Sequence, residues 1–141
     1  MTDLPDVNVW LALADENHVH HEKALAYWLN DSSPEIAYCR VTALGFLRLS
    51  THPKVLSRPL TSNEAWDIFH RYRNEAQVGF IEDSPAIEDC FRQFSTAEAF
   101  THHLWTDAYL AALAKFKNCR IITFDADFTH FPGLAWLHLS P

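Results

Sequence analysis

Three aspartates stand where their carboxylates could share one ligand. Asp6 follows a short strand-like run, Asp125 follows the apolar run 121–124, and Asp107 lies inside the apolar stripe of a predicted helix between them. In open α/β sheets, ligands bind in the crevice outside the carboxyl ends of the strands. A ligand set made of oxygen atoms alone favours a hard divalent cation. The sequence therefore predicts a cation site at one rim of a sheet.

Asp107 is the least expected of the three because its helix is apolar on both faces. Leu104, Asp107, Ala108 and Ala111 follow the i, i+3, i+4, i+7 spacing of one helical stripe in the predicted helix 101–117. An unpaired buried carboxylate is costly, whereas a metal ion or a basic partner stabilises its charge. A functional carboxylate, a structural ion pair and an exposed helix end all remain open on these residues alone.

The elements that must position these residues alternate between helix and strand, which favours βαβ units around a parallel sheet. The predicted helices are 7–14, 20–29, 42–49, a helix capped by Asn63 that runs to about 75, 84–94 and 101–117. The predicted strands are 36–39, 78–81, 120–124 and a last edge strand at 134–139. With 141 residues and 48% hydrophobic content, the chain is expected to form a single domain with a proper core. The absence of a long apolar run and of a signal-peptide pattern favours a cytoplasmic protein.

Charge is unevenly distributed along the chain. The net charge is −7, yet residues 36–63 contain no Asp or Glu. The four bases of this segment are Arg40, Arg48, Lys54 and Arg58. They could form a local basic face that binds RNA phosphates, or they could be ordinary solvated surface.

Four blocks of the sequence resemble the PIN-domain ribonucleases of the VapC toxin type. They are DVNVWLAL at 6–13, CRVT to THP at 39–53, LWTDAYLAALA at 104–114 and TFDADF at 123–128. A single short motif such as D-x-N would be weak evidence. Four blocks in the right order over nearly the whole chain are strong evidence.

This resemblance implies a fold and a reaction. The expected fold is a PIN-like three-layer α/β/α sandwich with a central parallel sheet of four to five strands, formed by residues 1–141 as one PIN domain. The implied reaction is cleavage of RNA phosphodiester bonds by metal-activated water. The resemblance also implies that the protein is the toxin of a type II toxin–antitoxin module. It would bind a small antitoxin and form a homodimer.

The resemblance also implies a set of site residues. Asp6, Asp107 and Asp125 would be the catalytic carboxylates around Mg²⁺ or Mn²⁺, with Asp127 as a fourth candidate ligand. Asn8 and Thr123 would orient these acids, as groups behind metal ligands commonly do.

One position departs from the family pattern. Many PIN domains carry Glu in the helix after the second strand, where this chain has Ala43, which cannot ligate a cation. A second metal site is therefore in doubt, and a catalytically weak PIN-fold module that binds RNA or protein stays open. A haloacid-dehalogenase-like phosphatase is a third hypothesis, but its nucleophile motif requires a second Asp where this chain has Asn8.

Overall fold

Five parallel strands form the centre of the protein in a computed structural model that describes residues 1–139. The strands are β1 Thr2–Pro5, β2 Ile36–Cys39, β3 Val78–Ile81, β4 Cys119–Thr123 and β5 Trp136–His138. Their spatial order is β3-β2-β1-β4-β5, and every neighbouring pair is parallel. The α/β class and the parallel sheet of four to five strands predicted from the sequence are confirmed, with five strands present. All strand carboxyl ends meet at one rim, with β1 and β4 side by side in its centre.

Helices cover both faces of this sheet. The described residues contain α1 Val7–Ala14, α2 His21–Ala26, α3 Arg40–Ser50, α4 Ser62–Arg73, α5 Glu88–Ser95 and α6 Trp105–Phe116. Because alternate strand residues point to opposite faces, Ile121 packs with α5 and α6, whereas Ile122 packs with α1 to α4. The result is the predicted three-layer sandwich. In the described part of the chain, no helix has the length and apolar character required to cross a bilayer.

Helix ends differ from the sequence predictions where side-chain caps decide them. α4 begins at Ser62 rather than after Asn63, because Thr61 is its N-cap. Glu64 N donates to Thr61 Oγ1 at 3.1 Å, and Thr61 N donates to Glu64 Oε1 at 2.9 Å. This reciprocal capping box satisfies two backbone donors that the helix itself leaves free. The helix predicted at 20–29 is shorter, because the regular part ends at Ala26 and a wide turn follows over Tyr27–Asp31.

The opposite rim of the sheet is held by a buried ion pair. Asp3 in β1 is 1% exposed and accepts hydrogen bonds from Arg120 Nε at 2.9 Å and Arg120 Nη2 at 3.0 Å. It also accepts from Tyr27 O–H at 2.7 Å and from Ser33 N at 2.9 Å. A buried carboxylate with four donors is well compensated, so Asp3 is a structural acid at the end of β1 away from Asp6.

Candidate metal centre

Asp6 lies at the point where β1 passes directly into α1. It is 8% exposed and is the N-cap of α1, where its Oδ1 accepts a hydrogen bond from Val7 N at 2.8 Å. Its own N–H donates to the carbonyl oxygen of Ile122 at 2.8 Å, which fixes the end of β1 against β4. The helix N-terminus favours a negative charge at this position.

Two polar side chains connect Asp6 to the end of β4. Thr123 O–H donates to Asp6 Oδ2 at 3.0 Å, and Thr123 Oγ1 accepts from Asp125 N at 3.0 Å. Asn8 Nδ2 lies 3.4 Å from Asp6 Oδ2 and 3.3 Å from Thr123 Oγ1, while Asn8 Oδ1 accepts from Phe124 N at 3.3 Å. Asn8 and Thr123 therefore join Asp6 to the end of β4 by hydrogen bonds, and their role in orienting metal-binding acids stays a prediction.

Three carboxylates converge beside this network. One oxygen each of Asp107, Asp125 and Asp127 lies within 4.8 Å of the other two. Asp125 caps the short helical turn Ala126–His130, and its Oδ1 accepts from Asp127 N at 2.9 Å, which brings Asp127 back toward the rim. Asp107 reaches the same place from the first turn of α6. Three oxygen donors at this separation fit a hard divalent cation.

The electrostatics of the cluster agree with its geometry. Burial, followed by the charges of Asp6, Asp125 and Asp127, raises the pKa of Asp107 to about 7. Burial and the charge of Asp125 raise the pKa of Asp6, although hydrogen bonds from Thr123 and Val7 oppose this shift. Neighbouring carboxylates that disfavour one another's ionisation form a site that a cation would stabilise.

The converging trio differs in one member from the trio predicted from the sequence, Asp6, Asp107 and Asp125. Asp127 stands with Asp107 and Asp125, whereas Asp6 lies beside the trio and outside it. The reason is local: the oxygens of Asp6 already accept hydrogen bonds from Val7, Asn8 and Thr123. Asp6 is still close enough for its charge to act on Asp107.

Helix α3 approaches the site without contributing an acid. Ala43 is buried in the apolar cluster between α1, α3 and β2. A cavity of about 420 Å³ lies next to Asp6, and its lining includes Gly45, Arg48 and Thr106. Gly45 permits this close approach, because a Cβ there would lie 2.7 Å from Val7 Cγ2. The face of α3 toward Asp6 is thus apolar with one cation, and Thr106 is a lining residue that the sequence patterns did not single out.

The four bases of the segment 36–63 have different surroundings. Arg48 lines the cavity beside Asp6, and Arg40 lies at the start of α3 on the same rim with its guanidinium 4.7 Å from the centre of the Phe80 ring. Lys54 is exposed in the loop after α3. Arg58 is paired with Glu64 at 3.0 Å and lines a different cavity, together with Asp15 and Glu16. The structure therefore brings Arg40 and Arg48, but not Arg58, toward the acidic rim.

The raised pKa of Asp107 predicts a pH-dependent stability of the metal-free protein. A carboxyl group whose pKa is raised by folding favours the folded state only while it is protonated. Its contribution to stability is therefore fully present below the pKa of the unfolded chain, and it is lost as the pH rises through the folded pKa of about 7. In EDTA, we expect Asp107→Asn to have nearly the same Tm as the wild type at pH 4 and a higher Tm at pH 8. Since Asp107 is partly exposed, the gain is expected to be of the order of 1 kcal/mol, or about 4 °C.

Thermal unfolding in EDTA across pH 4–8 measures this difference. Asp89→Asn removes the same charge from an exposed position of α5 and serves as the control. A difference between wild type and Asp107→Asn that does not change with pH would contradict the placement of Asp107 among other carboxylates.

A parallel sheet between helical layers, with aspartates from α6 and from just after β1 and β4 at its central rim, defines a PIN domain. The PIN-domain family matches residues 4–134. Ribonuclease VapC41 of Mycobacterium tuberculosis is 34% identical over 137 residues, which cover 93% of this chain and 94% of that protein. The chain belongs to the VapC ribonucleases of the PIN-domain family.

Solved structures with low sequence identity share the fold. VapC20 of Mycobacterium tuberculosis, a sarcin-ricin loop cleaving toxin, superposes with a TM-score of 0.71 at 15% identity, covering 92% of this chain and 93% of that chain. A toxin–antitoxin complex from Klebsiella pneumoniae contains a chain with a TM-score of 0.65 at 17% identity, and 97% of each chain is covered. These two structures support the architecture of the sheet and its helical layers.

Proposed function

We propose that this protein is a metal-dependent endoribonuclease, the toxin of a type II toxin–antitoxin module that acts in the cytoplasm. The observation that carries the proposal is the convergence of Asp107, Asp125 and Asp127 within 4.8 Å at the sheet rim of a VapC-family chain. When bound, Mg²⁺ or Mn²⁺ would lower the pKa of a water molecule and neutralise charge on the phosphate.

The residues of the rim have distinct roles in this proposal. Asp107, Asp125 and Asp127 would hold the cation. Asp6 adds a fourth negative charge beside them, and Thr123 fixes Asp6 relative to Asp125 through its two hydrogen bonds. Asn8 supports the same arrangement from the first turn of α1.

A single cation is the simplest form of this site. The trio of Asp107, Asp125 and Asp127 includes no residue of α3. The face of α3 beside Asp6 presents Val41, Leu44 and Arg48 and no carboxylate. Mg²⁺ commonly keeps several waters and binds one or two carboxylates together with substrate phosphate. We therefore propose one ion, completed by water and by the RNA phosphate, with Arg48 adding positive charge from the neighbouring cavity.

We propose two protein partners on the basis of the family. We propose a small antitoxin that covers the acidic rim, and a homodimer as the assembled form of the ribonuclease. A chain with the same fold belongs to a toxin–antitoxin complex from Klebsiella pneumoniae, which supports the antitoxin as a partner.

The proposed activity is tested by incubating the purified protein with single-stranded and structured RNA, and with a chromogenic phosphomonoester, in Mg²⁺, Mn²⁺ or EDTA. We expect internal RNA cleavage that requires a divalent cation, and no phosphomonoester hydrolysis. RNA binding with no cleavage at any concentration of either cation would favour the binding module, which the apolar Ala43 supports as the second candidate function.

The positions of the bases predict which of them guide RNA to the rim. We expect Arg48→Ala to reduce the magnitude of the log–log salt slope of RNA binding by about 0.7, the value for one phosphate contact of a single strand. We expect Arg58→Ala to leave the slope unchanged, since Arg58 is already paired with Glu64. The hydrogen bond from Arg58, together with hydrogen bonds from Thr61, lowers the pKa of Glu64 to about 2. Anisotropy titrations at several salt concentrations in EDTA measure both slopes. Equal slope changes in the two variants would contradict this division of the basic segment.

A further inference from the structure

A second charged surface lies along the β3 edge of the sheet and reaches the rim at Arg40 and Glu82. It is a groove of about 440 Å³ between α4, the start of α3 and the end of β3. We call it the Arg40–Arg73 groove. Its lining residues are Arg40, Trp66, Phe69, His70, Arg73, Asn74, Phe80 and Glu82.

Two guanidinium groups share one aromatic ring in this groove. The guanidinium carbon of Arg40 lies 4.7 Å from the centre of the Phe80 ring, and that of Arg73 lies 5.4 Å from it. Within residues 1–139, the salt bridges of arginine involve Arg58 and Arg120, so neither Arg40 nor Arg73 is neutralised by a carboxylate there. Glu82 is the acid among the lining residues. Two uncompensated cations held in one place are unusual in a chain with a net charge of −7.

The groove also presents an aromatic surface to solvent. Trp66 is 45% exposed, and its indole stacks on the imidazole of His70 with ring centres 5.6 Å apart and an interplanar angle of 21°. Trp66 also packs edge-on against Phe69, which is buried. The indole is therefore fixed in position while part of it remains available for stacking.

The strand register places this groove next to the acidic rim. Cys39 of β2 is level with Ile81 of β3, and the pairing of Asp3 with Ile36 brings Asp6 level with Cys39. The charge of Asp6 acts on the Cys39 thiol, which agrees with this register. Neighbouring strands are about 4.8 Å apart, so Arg40, the residue after Cys39, is about one strand spacing along the rim from Asp6.

We propose that the Arg40–Arg73 groove binds an unpaired segment of the RNA substrate beside the scissile phosphodiester, with its phosphates on the two guanidiniums and a base stacked on Trp66. This inference rests on the proposed ribonuclease function. Positively charged grooves that carry exposed aromatic rings are the usual means of binding single strands without reading their sequence. A duplex offers no free base face to Trp66, so the groove selects unpaired RNA.

The test separates binding from cleavage. Fluorescein-labelled 12-nucleotide single-stranded RNA, a duplex of the same length and a 12-residue polyglutamate are titrated by anisotropy in EDTA. We expect the Arg40→Ala, Arg73→Ala double variant to lower the magnitude of the salt slope for single-stranded RNA by about 1.4. We expect Trp66→Ala to weaken single-strand binding at least about 5-fold, with little effect on the duplex.

Matched controls come from the same elements. Arg71→Ala removes the same charge from an exposed position of α4 outside the groove lining, and Phe116→Ala removes an exposed aromatic ring at the end of α6. Both controls are expected to bind RNA as the wild type does. In Mg²⁺ or Mn²⁺, the groove variants should raise KM for RNA and leave the single-turnover rate at saturating RNA within about 2-fold, since the acids are intact.

Each outcome has a definite meaning. Unchanged RNA affinity and salt slope in the groove variants, while the wild type cleaves RNA, would overturn the groove and leave the ribonuclease intact. Polyglutamate binding that equals RNA binding and ignores Trp66→Ala would identify a site for acidic protein segments and would also overturn the proposal. If the wild type cleaves no RNA but the groove variants bind RNA more weakly than it does, the groove is supported and the ribonuclease function is rejected.

Discussion

Replacing Asp125 by Asn is expected to reduce metal-dependent RNA cleavage by at least about 100-fold, because it removes a charged oxygen donor from the trio with Asp107 and Asp127. The fold should remain intact. Asn keeps an oxygen that can accept the hydrogen bond from Asp127 N, which caps the turn Ala126–His130. Loss of one negative charge also relieves repulsion within the metal-free cluster.

Single-turnover cleavage with Mg²⁺ and with Mn²⁺, together with thermal unfolding, measures these effects. Asp89→Asn is the control, since Asp89 is exposed on α5. The cleavage rate of Asn8→Ala should lie between those of the other two variants, with a loss of about 10- to 100-fold, because we propose that Asn8 orients the acids and does not bind the cation. Cleavage by Asp125→Asn at the rate of the control would reject the assigned role of the trio.

The second large effect is expected on stability, at the opposite end of β1. Asp3→Ala leaves the guanidinium of Arg120 and the hydroxyl of Tyr27 without their buried acceptor. Breaking a buried ion pair from one side typically costs about 3–5 kcal/mol, and the 30% exposure of the Arg120 side chain places this case at the lower end. The Tm should fall by at least about 10 °C.

Urea denaturation of Asp3→Ala, Arg120→Ala and the double variant measures the coupling between the two residues. Glu35→Ala is the control, since Glu35 is exposed and accepts a hydrogen bond from Thr2 at the same end of β1. The double variant should lose less than the sum of the single losses. A loss below about 1 kcal/mol for Asp3→Ala would show that this ion pair does not hold the rim.

The strands and the central acids were predictable because local patterns decide them. The strands Ile36–Cys39 and Val78–Ile81 have the bounds expected from the sequence, as has α1, Val7–Ala14. Each is a short apolar run that begins or ends at a turn residue, a capping group or a charge. The order of such runs favours a parallel sheet, and parallel strands bring their carboxyl ends to one rim.

The composition of the site was less predictable because it depends on contacts between distant segments. Thr123 and Asn8 use the oxygens of Asp6, while the turn after Asp125 brings Asp127 into the trio. The spacing of the arginines in the sequence also does not show which of them form salt bridges. Arg58 is bound to Glu64, whereas Arg73 shares a groove with Arg40, which lies 33 positions earlier in the chain and on another helix. These contacts depend on the tertiary fold, which no local pattern contains.

The most direct test of the central claim is a crystal structure of the protein soaked in Mn²⁺, with anomalous diffraction to locate the ion. We expect one principal peak between Asp107, Asp125 and Asp127, at the 2.0–2.2 Å or so from their oxygens that small divalent cations require. The peak should be absent in Asp125→Asn under the same soak. The claim that these carboxylates hold the catalytic cation would be contradicted by a principal peak at histidines. It would also be contradicted if no peak appeared at the rim at a Mn²⁺ concentration at which the protein cleaves RNA.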